Sequence, residues 1–172
     1  MDNERLYHIS EDPTIKNFLP RVSPSSFDSI KAKVVFAISE KLLHNYLLPR
    51  DCPRIGFYAT SKSNKEDIEK FIGPTCAAFI VAVENKWLQV IQQTTLYVYE
   101  LPSANFYLLD ECAGYYISTR SVSPLSVKPV SNILAELTNR NIELRLTPSL
   151  LPLAGNIKNS TLNYSMIRLR NL

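Results

Sequence analysis

The fold is decided by residues 95–129, which read TLYVYELPSANFYLLDECAGYYISTRSVSPLSVKP. The stretch contains short runs rich in Val, Ile, Tyr and Phe, bounded by Pro, Gly, Ser or Asp, and this composition is typical of β-strands. The runs predict strands at Thr95–Leu101, Phe106–Leu109, Gly114–Ser118 and Val122–Pro129. Because no helical pattern lies between them, they favour a mixed or antiparallel sheet over a doubly wound parallel one.

The residues before this stretch alternate between strand and helix patterns. Strand-like runs occur at Arg5–Ile9, Lys33–Ile38, Arg54–Ala59 and Cys76–Val83. Helices are predicted from Asp12-Pro13, from Ser39, from the capping pair Ser63 and Glu66, around Trp87 and from Ser131. The stretch from Pro20 to Ser29 predicts a surface loop. We therefore predict an α+β fold in which helices pack on a mixed or antiparallel sheet.

Length and composition indicate one globular domain. The 172 residues suit a single hydrophobic core, so we predict one domain spanning 1–172. Hydrophobic residues make up 45% and charged residues 20%, which excludes the class of polar, highly charged disordered chains. The longest apolar run, Cys76–Val83, is far shorter than the roughly 20 residues that span a bilayer, and the polar start Met1–Arg5 lacks an apolar signal region. We expect a cytoplasmic protein with no membrane partner.

Charge, cysteines and glycines argue against three classes of site. The net charge of +3 is spread along the chain without a basic run, so no specific nucleic-acid partner is indicated. The cysteines Cys52, Cys76 and Cys112 include no Cys-x-x-Cys pair, which predicts neither a disulfide framework nor a metal site. No glycine-rich phosphate loop is present, which disfavours Rossmann and P-loop folds.

The segment Leu6-Tyr7-His8-Ile9-Ser10 carries the best candidate for chemistry. Strand alternation places His8 and Ser10 on the same face. An imidazole beside a hydroxyl suits the binding of a ligand hydroxyl, or acid–base work. The alternative is structural, with both side chains satisfying the backbone of the turn at Asp12-Pro13.

The segment Arg50-Asp51-Cys52-Pro53-Arg54 places two guanidinium groups around a turn. Arg50 and Arg54 could hold a phosphate or carboxylate through their planar forks. The favoured alternative is that Asp51 pairs with one arginine and stabilises the turn. Neighbouring arginines lower the pKa of a thiol, so Cys52 is a candidate nucleophile, although a buried and inert thiol is the simpler interpretation.

Two carboxylates, Asp110 and Glu111, follow the predicted strand Phe106–Leu109. A carboxylate at a strand end beside aromatic residues can orient or polarise a ligand. An ordinary acidic turn is the preferred alternative.

Four segments resemble the histidine-type ADP-ribosyltransferases, in particular the small rifampin ADP-ribosyltransferases. Leu6–Ser10 is similar to their first-strand Tyr-His-Gly/Ser/Thr motif. Val34–Ala37, together with the Ser39 helix that follows, resembles their second strand and helix. Leu96–Pro102 resembles their strand that ends in Val-Glu-Pro, and Thr119–Leu125 resembles their Thr-Arg-Ser-rich turn. The whole chain also looks similar to a small uncharacterised bacterial family with Leu-Tyr-His near its start and Arg-Asp-Cys-Pro-Arg in its middle.

The resemblance implies a split, mostly antiparallel sheet of ADP-ribosyltransferase type over about 5–130, a C-terminal extension at 131–172, and NAD as cofactor. His8, beside Ser10, would hold the nicotinamide-side ribose while positive charge develops on the sugar, because an imidazole can donate and accept at once. Arg120, or Arg50 with Arg54, would neutralise the pyrophosphate.

Two departures from the family shift other roles to neighbouring residues. The aromatic residue that stacks on nicotinamide falls at Val35, so Phe36, after a register slip of one residue, or Tyr116 would replace it. The acidic Asp-Asp-Pro-Asn segment is absent, which leaves Asp110 or Glu111 to replace its carboxylates, with Asp110 as the candidate catalytic residue.

Three functional hypotheses follow from these residues and from the resemblance. The leading one is a domain that binds NAD or a related nucleotide and transfers ADP-ribose to a small molecule or a macromolecule. The rival is a noncatalytic binding or interaction domain on the same fold. The third is a hydrolase or transferase that uses Cys52 with a histidine. The expected partner is a small-molecule or nucleotide ligand.

Overall fold

The computed structural model describes residues 4–23 and 30–172, which contain ten β-strands and four short α-helices. The strands are β1 (Leu6–Ser10), β2 (Val35–Ser39), β3 (Arg54–Tyr58), β4 (Phe79–Glu84), β5 (Leu96–Leu101), β6 (Tyr107–Asp110), β7 (Tyr115–Ser118), β8 (Ser126–Val130), β9 (Ile142–Thr147) and β10 (Asn163–Ile167). The α-helices are α1 (Lys65–Asp67), α2 (Leu88–Gln93), α3 (Ile133–Asn139) and α4 (Leu151–Lys158). A π-helical turn covers Ile68–Ile72, and 3-10 helices cover Glu40–Tyr46, Asn85–Trp87, Ser103–Asn105 and Leu169–Asn171. The predicted loop from Pro20 to Ser29 lies partly outside the described residues.

The predicted α+β class is confirmed, with the strands forming two mostly antiparallel sheets. The chain divides into two compact units, the first made of 1–43 and 96–130 and the second of 44–95 and 131–172. Each unit contains one of the sheets. That the chain forms one domain over 1–172 stays a prediction.

The six-stranded sheet of the first unit has the order β6-β7-β2-β1-β5-β8, and every neighbouring pair is antiparallel. Strand β1 pairs with β5 so that His8 lies opposite Tyr99. Because directly opposed residues of antiparallel strands project to the same side, these two side chains share a face, which we call the His8 face. One buried core cluster of the unit lies on that face and contains Leu6, Phe18, Val35, Ala37, Tyr99, Leu101 and Val122.

The four-stranded sheet of the second unit has the order β10-β3-β4-β9, with one parallel pair, β4 and β9. Ile55 and Phe57 of β3 and Ile80 of β4 lie on one face of this sheet. They pack against Ala154 and Ile157 of α4 in a buried cluster. The apolar stripe of the helix therefore covers one face of the sheet, as amphipathic packing requires.

A glycine in β3 permits a close approach on the other face of this sheet. A Cβ atom added at Gly56 would lie 2.0 Å from the side-chain oxygen of Asn45. Asn45 is 4% exposed, and that oxygen has no hydrogen-bond partner within the described part of the chain. The absence of a side chain at Gly56 is therefore a packing requirement rather than a need for backbone freedom.

The helix predicted from Asp12-Pro13 is wrong. The side chain of Asp12 accepts hydrogen bonds from the backbone N–H and the hydroxyl of Thr14, which closes a turn. The chain then runs across the sheet, where Phe18 forms an isolated bridge with Val122. Tertiary packing of Phe18 against the sheet has overridden the local helix signal.

Candidate functional site

His8 lies on β1, in the interior of the six-stranded sheet between β2 and β5. Its Nδ1 atom is 3.1 Å from the carbonyl oxygen of Phe36. A carbonyl only accepts, so Nδ1 carries the proton, and a neutral ring then has its lone pair on Nε2. The backbone thus fixes both the tautomer and the orientation of a half-buried imidazole.

An aromatic side chain packs against this imidazole. The rings of His8 and Phe18 have centroids 4.7 Å apart and are tilted by 49°. Phe18 also meets Tyr99 edge-on at 5.3 Å. Phe18 is held in place by two backbone hydrogen bonds with Val122, of 2.8 and 3.0 Å. The His8 ring is therefore restrained by a packed wall as well as by its hydrogen bond.

Ser10 lies on the His8 face, and its side chain also stabilises the turn that follows β1. Its hydroxyl accepts a hydrogen bond from the backbone N–H of Asp12 at 3.1 Å. The hydroxyl of Tyr99 donates to the carbonyl oxygen of Asp12 at 2.6 Å and accepts from the N–H of Ile15 at 3.3 Å. The structural interpretation of Ser10 as a turn residue therefore has direct support, alongside its position beside His8.

The strand register separates the two aromatic candidates. Leu6 lies opposite Ser39, and Ala37 lies opposite Tyr116, which puts Tyr116 on the His8 face. Phe36 projects to the opposite face, where its ring meets Tyr115 edge-on at 6.2 Å. Burial raises the pKa of Tyr116, and the nearby carboxylates of Glu4 and Glu111 add to the rise. Of the two, Tyr116 alone shares a face with the histidine.

Asp110 and Arg120 lie at the two ends of the β6–β7 region. Asp110 pairs with Tyr115 and so projects to the face opposite His8. Its carboxylate accepts from the backbone N–H of Ala113 at 3.0 Å, as an ordinary turn residue does. Arg120 is exposed just after β7, and its N–H donates to the hydroxyl of Ser118 at 3.1 Å.

Arg54 lies in the second unit and is 2% exposed. Its guanidinium donates to the carbonyl oxygens of Asn45 and Cys52 at 2.9 Å and of Pro49 at 3.3 Å, with a longer contact to Arg50 at 3.5 Å. These bonds direct it into the chain's own backbone rather than towards a ligand. The favoured alternative, in which Asp51 pairs with an arginine, is also wrong, because Asp51 forms no ion pair with any described residue.

The surroundings of Cys52 disfavour a reactive thiolate. The residue is fully buried, and its sulfur donates to the carbonyl oxygen of Pro53 at 3.6 Å. Burial raises the pKa of Cys52 to about 12, with a further rise from Glu84 and an opposing effect of Arg54. Since the thiolate is the nucleophilic form, the hypothesis of a Cys52-dependent hydrolase or transferase is not supported.

Two polar features were missed by the sequence reasoning. Glu84, at the end of β4, is 6% exposed; its carboxylate binds Lys86 at 2.7 Å and accepts from the N–H of Leu150 at 3.2 Å. Arg168, after β10, donates to the carbonyl oxygen of Arg50 at 3.3 Å. The sequence signal for Glu84 was a charged residue at the end of an apolar run, residues 79–83. The contact of Arg168 had no sequence signal, because 118 residues separate Arg168 from Arg50.

No helix among residues 4–23 and 30–172 is long and apolar enough to cross a membrane.

The comparisons with known proteins identify a family, but they assign no activity. No curated protein and no solved structure matches the chain. A family model matches residues 7–172, nearly the whole sequence. The chain therefore belongs to DUF6886, a family of unknown function.

Proposed function

We propose that the His8 face of the first unit binds NAD or a related nucleotide, on a sheet of ADP-ribosyltransferase type. The observation that carries the proposal is the fixed imidazole of His8, whose Nδ1 is held by the Phe36 carbonyl at 3.1 Å. An imidazole held in one orientation is suited to positioning a ribose hydroxyl of a bound nucleotide. Tyr116 supplies an aromatic surface on the same face.

The other residues predicted to contact NAD differ in whether their side chains can reach a ligand. Arg54 is engaged with backbone carbonyls and does not fit a pyrophosphate contact. Arg120 is exposed, and its guanidinium is the group that we propose contacts the pyrophosphate. NAD supplies the bond between ribose and nicotinamide that breaks during ADP-ribose transfer. The role of His8 is to hold the ribose in place as positive charge develops on the sugar.

A noncatalytic binding domain is the second candidate, and one observation favours it. Asp110 projects away from His8 and is bound to the turn N–H of Ala113. A catalytic carboxylate must reach the reacting atoms within hydrogen-bond distance. A domain that binds the nucleotide without transferring ADP-ribose needs no such group.

The test is a thermal unfolding titration with NAD, because a ligand that binds only the folded protein raises its melting temperature. We expect the melting temperature of the wild-type protein to rise at millimolar NAD. His8→Ala and His8→Asn should each weaken NAD binding at least tenfold, about 1.4 kcal/mol. His8→Asn keeps a donor for the Phe36 carbonyl but has no group at the position of Nε2, so it separates ligand contact from folding.

Lys128→Gln, on the exposed strand β8, is the matched control and should bind NAD as the wild type does. If NAD leaves the melting temperature of the wild-type protein unchanged, the proposal fails. Release of nicotinamide from bound NAD, followed by chromatography, then separates the two candidates. Binding without release would favour the noncatalytic domain.

A further inference from the structure

An open pocket lies at one end of the six-stranded sheet, within the first unit. It is formed by the residues just before β1, the end of β5, the turn that follows β5 and the residue before β8. Its volume is about 330 Å³, at the lower end of the range for sites that bind small molecules. The side chains around this pocket, which we call the Glu100 pocket, include the charged residues Glu4, Arg5 and Glu100 and the apolar residues Leu101, Pro102 and Leu125.

Backbone hydrogen bonds fix the walls of the Glu100 pocket. The N–H of Leu125 donates to the carbonyl oxygen of Glu100 at 2.8 Å, and the N–H of Phe106 donates to that of Ser103 at 3.0 Å. At the end of β5, Leu101 lies opposite a residue of β1 in the antiparallel pair of these strands. A pocket whose backbone is already held in place loses little conformational entropy when a ligand binds.

Carboxylates outnumber guanidinium groups on the charged side of the Glu100 pocket. Arg5 forms two ion pairs, one with Glu100 at 3.5 Å and one with Glu40 at 3.3 Å. The second carboxylate oxygen of Glu100 accepts from the hydroxyl of Ser126 at 3.1 Å. Glu4 is exposed and forms no ion pair with any residue that the structure describes. Because Arg5 is shared between two carboxylates, negative charge prevails among the lining side chains.

The apolar side of the Glu100 pocket is incompletely covered. Leu125 is 66% exposed, although its N–H is bonded to the end of β5. Leu101 is buried and Pro102 is half-buried. A hydrocarbon group that covers Leu125 removes apolar surface from water, which favours binding.

We propose that the Glu100 pocket binds a small organic cation that carries a primary ammonium group on a short aliphatic stem. The ammonium group has three donors and the charge that complements Glu4 and Glu100, and the stem covers Leu125. An anionic ligand would meet two carboxylates, and the guanidinium of Arg5 is already paired. A wholly apolar ligand would take water from the carboxylates without replacing its hydrogen bonds.

The experiment is an NMR titration with cadaverine, an aliphatic diamine of five carbons, at constant ionic strength. The matched neutral probe is 1,5-pentanediol, which has the same stem without the charge. We expect cadaverine to shift the backbone amide signals of Leu101, Ala104 and Leu125, which surround the pocket, and 1,5-pentanediol to leave them unchanged. The shifts locate the site, and their dependence on cadaverine concentration gives the dissociation constant.

Replacement of the carboxylates tests the charge of the Glu100 pocket. Glu4→Gln changes a residue that has no ion pair, so it should melt as the wild type does while binding cadaverine about threefold more weakly. Glu4→Gln/Glu100→Gln should bind about tenfold more weakly, because two ion pairs with the ligand are lost. Glu66→Gln is the matched control, since Glu66 is exposed in the second unit and its replacement changes the net charge equally. It should leave the affinity unchanged.

Replacement of Leu125 tests the apolar side. Leu125→Ala removes a largely exposed side chain, so the fold should keep its melting temperature while cadaverine binds about threefold more weakly. Equal affinity of the wild type and the double carboxylate variant would overturn the proposal. So would binding of 1,5-pentanediol as tight as that of cadaverine.

A lysine side chain of another protein offers the same ammonium group and stem. The peptide Gly-Gly-Lys-Gly-Gly distinguishes this source from a free amine, and it should bind more weakly than cadaverine. Binding of the peptide more than tenfold tighter than cadaverine would overturn the assignment of a small molecule. The titration contains no NAD, so failure of this proposal and failure of NAD binding are separate results.

Discussion

His8 in the first unit and Arg54 in the second are both polar side chains that project from a strand, yet they use their hydrogen-bonding capacity differently. Arg54 is 2% exposed and its donors meet carbonyls of its own turn. His8 is half-buried, and its Nδ1 atom bonds to the Phe36 carbonyl. Because part of its side chain stays accessible, His8 remains a candidate for contact with a ligand, whereas the fully buried guanidinium of Arg54 does not.

Replacement of Arg54 should have the largest effect on stability. Arg54→Met removes the donors from buried carbonyl groups at Asn45, Pro49 and Cys52. Each buried acceptor left without a partner costs about 1–3 kcal/mol, so we expect a loss of about 3–5 kcal/mol in the free energy of unfolding. Urea denaturation measures this value.

Arg50→Met is the matched control for Arg54→Met. Arg50 is exposed on the same turn, so its replacement should change the free energy of unfolding by about 0.5 kcal/mol or less. If the two variants were equally stable, the distinction between a buried, structural arginine and an exposed one would fail.

Replacement of Glu84 should have an intermediate effect that depends on pH. The bond from Lys86, helped by the N–H of Leu150, lowers the pKa of Glu84 against the opposing effect of burial. A lowered pKa means that the stabilisation is fully present above the ordinary carboxyl pKa and is lost as the pH falls through the lowered value.

Glu84→Gln should therefore cost about 1–2 kcal/mol at pH 7. The difference between variant and wild type should shrink as the pH falls below about 4.5, the ordinary value for the carboxyl group. Chemical denaturation at several pH values measures it. A difference that stays constant down to the acid range would show that the charge of Glu84 does not stabilise the fold.

The strands of 95–130 were largely predictable, because alternation and turn residues are local signals. Thr95–Leu101 was predicted and Leu96–Leu101 is observed, and Gly114–Ser118 corresponds to Tyr115–Ser118. The last predicted strand, Val122–Pro129, begins later, at Ser126. Val122, the first residue of the predicted strand, instead forms a bridge with Phe18, a tertiary contact that no local pattern encodes.

The candidate sites were less predictable, because they depend on register and burial. Strand alternation correctly put His8 and Ser10 on one face, but the pairing of β2 with β7 decides that Tyr116 joins them and Phe36 does not. The burial of Arg54 depends on the packing of its turn, and two arginines in a turn look alike in sequence whether buried or exposed.

The smallest expected effect is that of His8→Asn on stability. Its side-chain amide can replace the donor to the Phe36 carbonyl and only the ring packing on Phe18 is lost, so we expect a change in the free energy of unfolding of about 1 kcal/mol or less. Denaturation of His8→Asn and Arg54→Met under the same conditions compares how much each residue contributes to the free energy of unfolding. A loss of several kcal/mol would make His8 a structural residue of the same kind as Arg54.

Because Cys52 is buried, chemical modification of its thiol can report local opening of the surrounding structure. Cys76 and Cys112 are exposed and Cys52 is not. A thiol reagent should therefore modify two sites while the protein stays folded, and a third only when the region around Cys52 opens. The rate of that third modification measures how often the Arg54 turn exposes its interior, under conditions in which the native protein predominates.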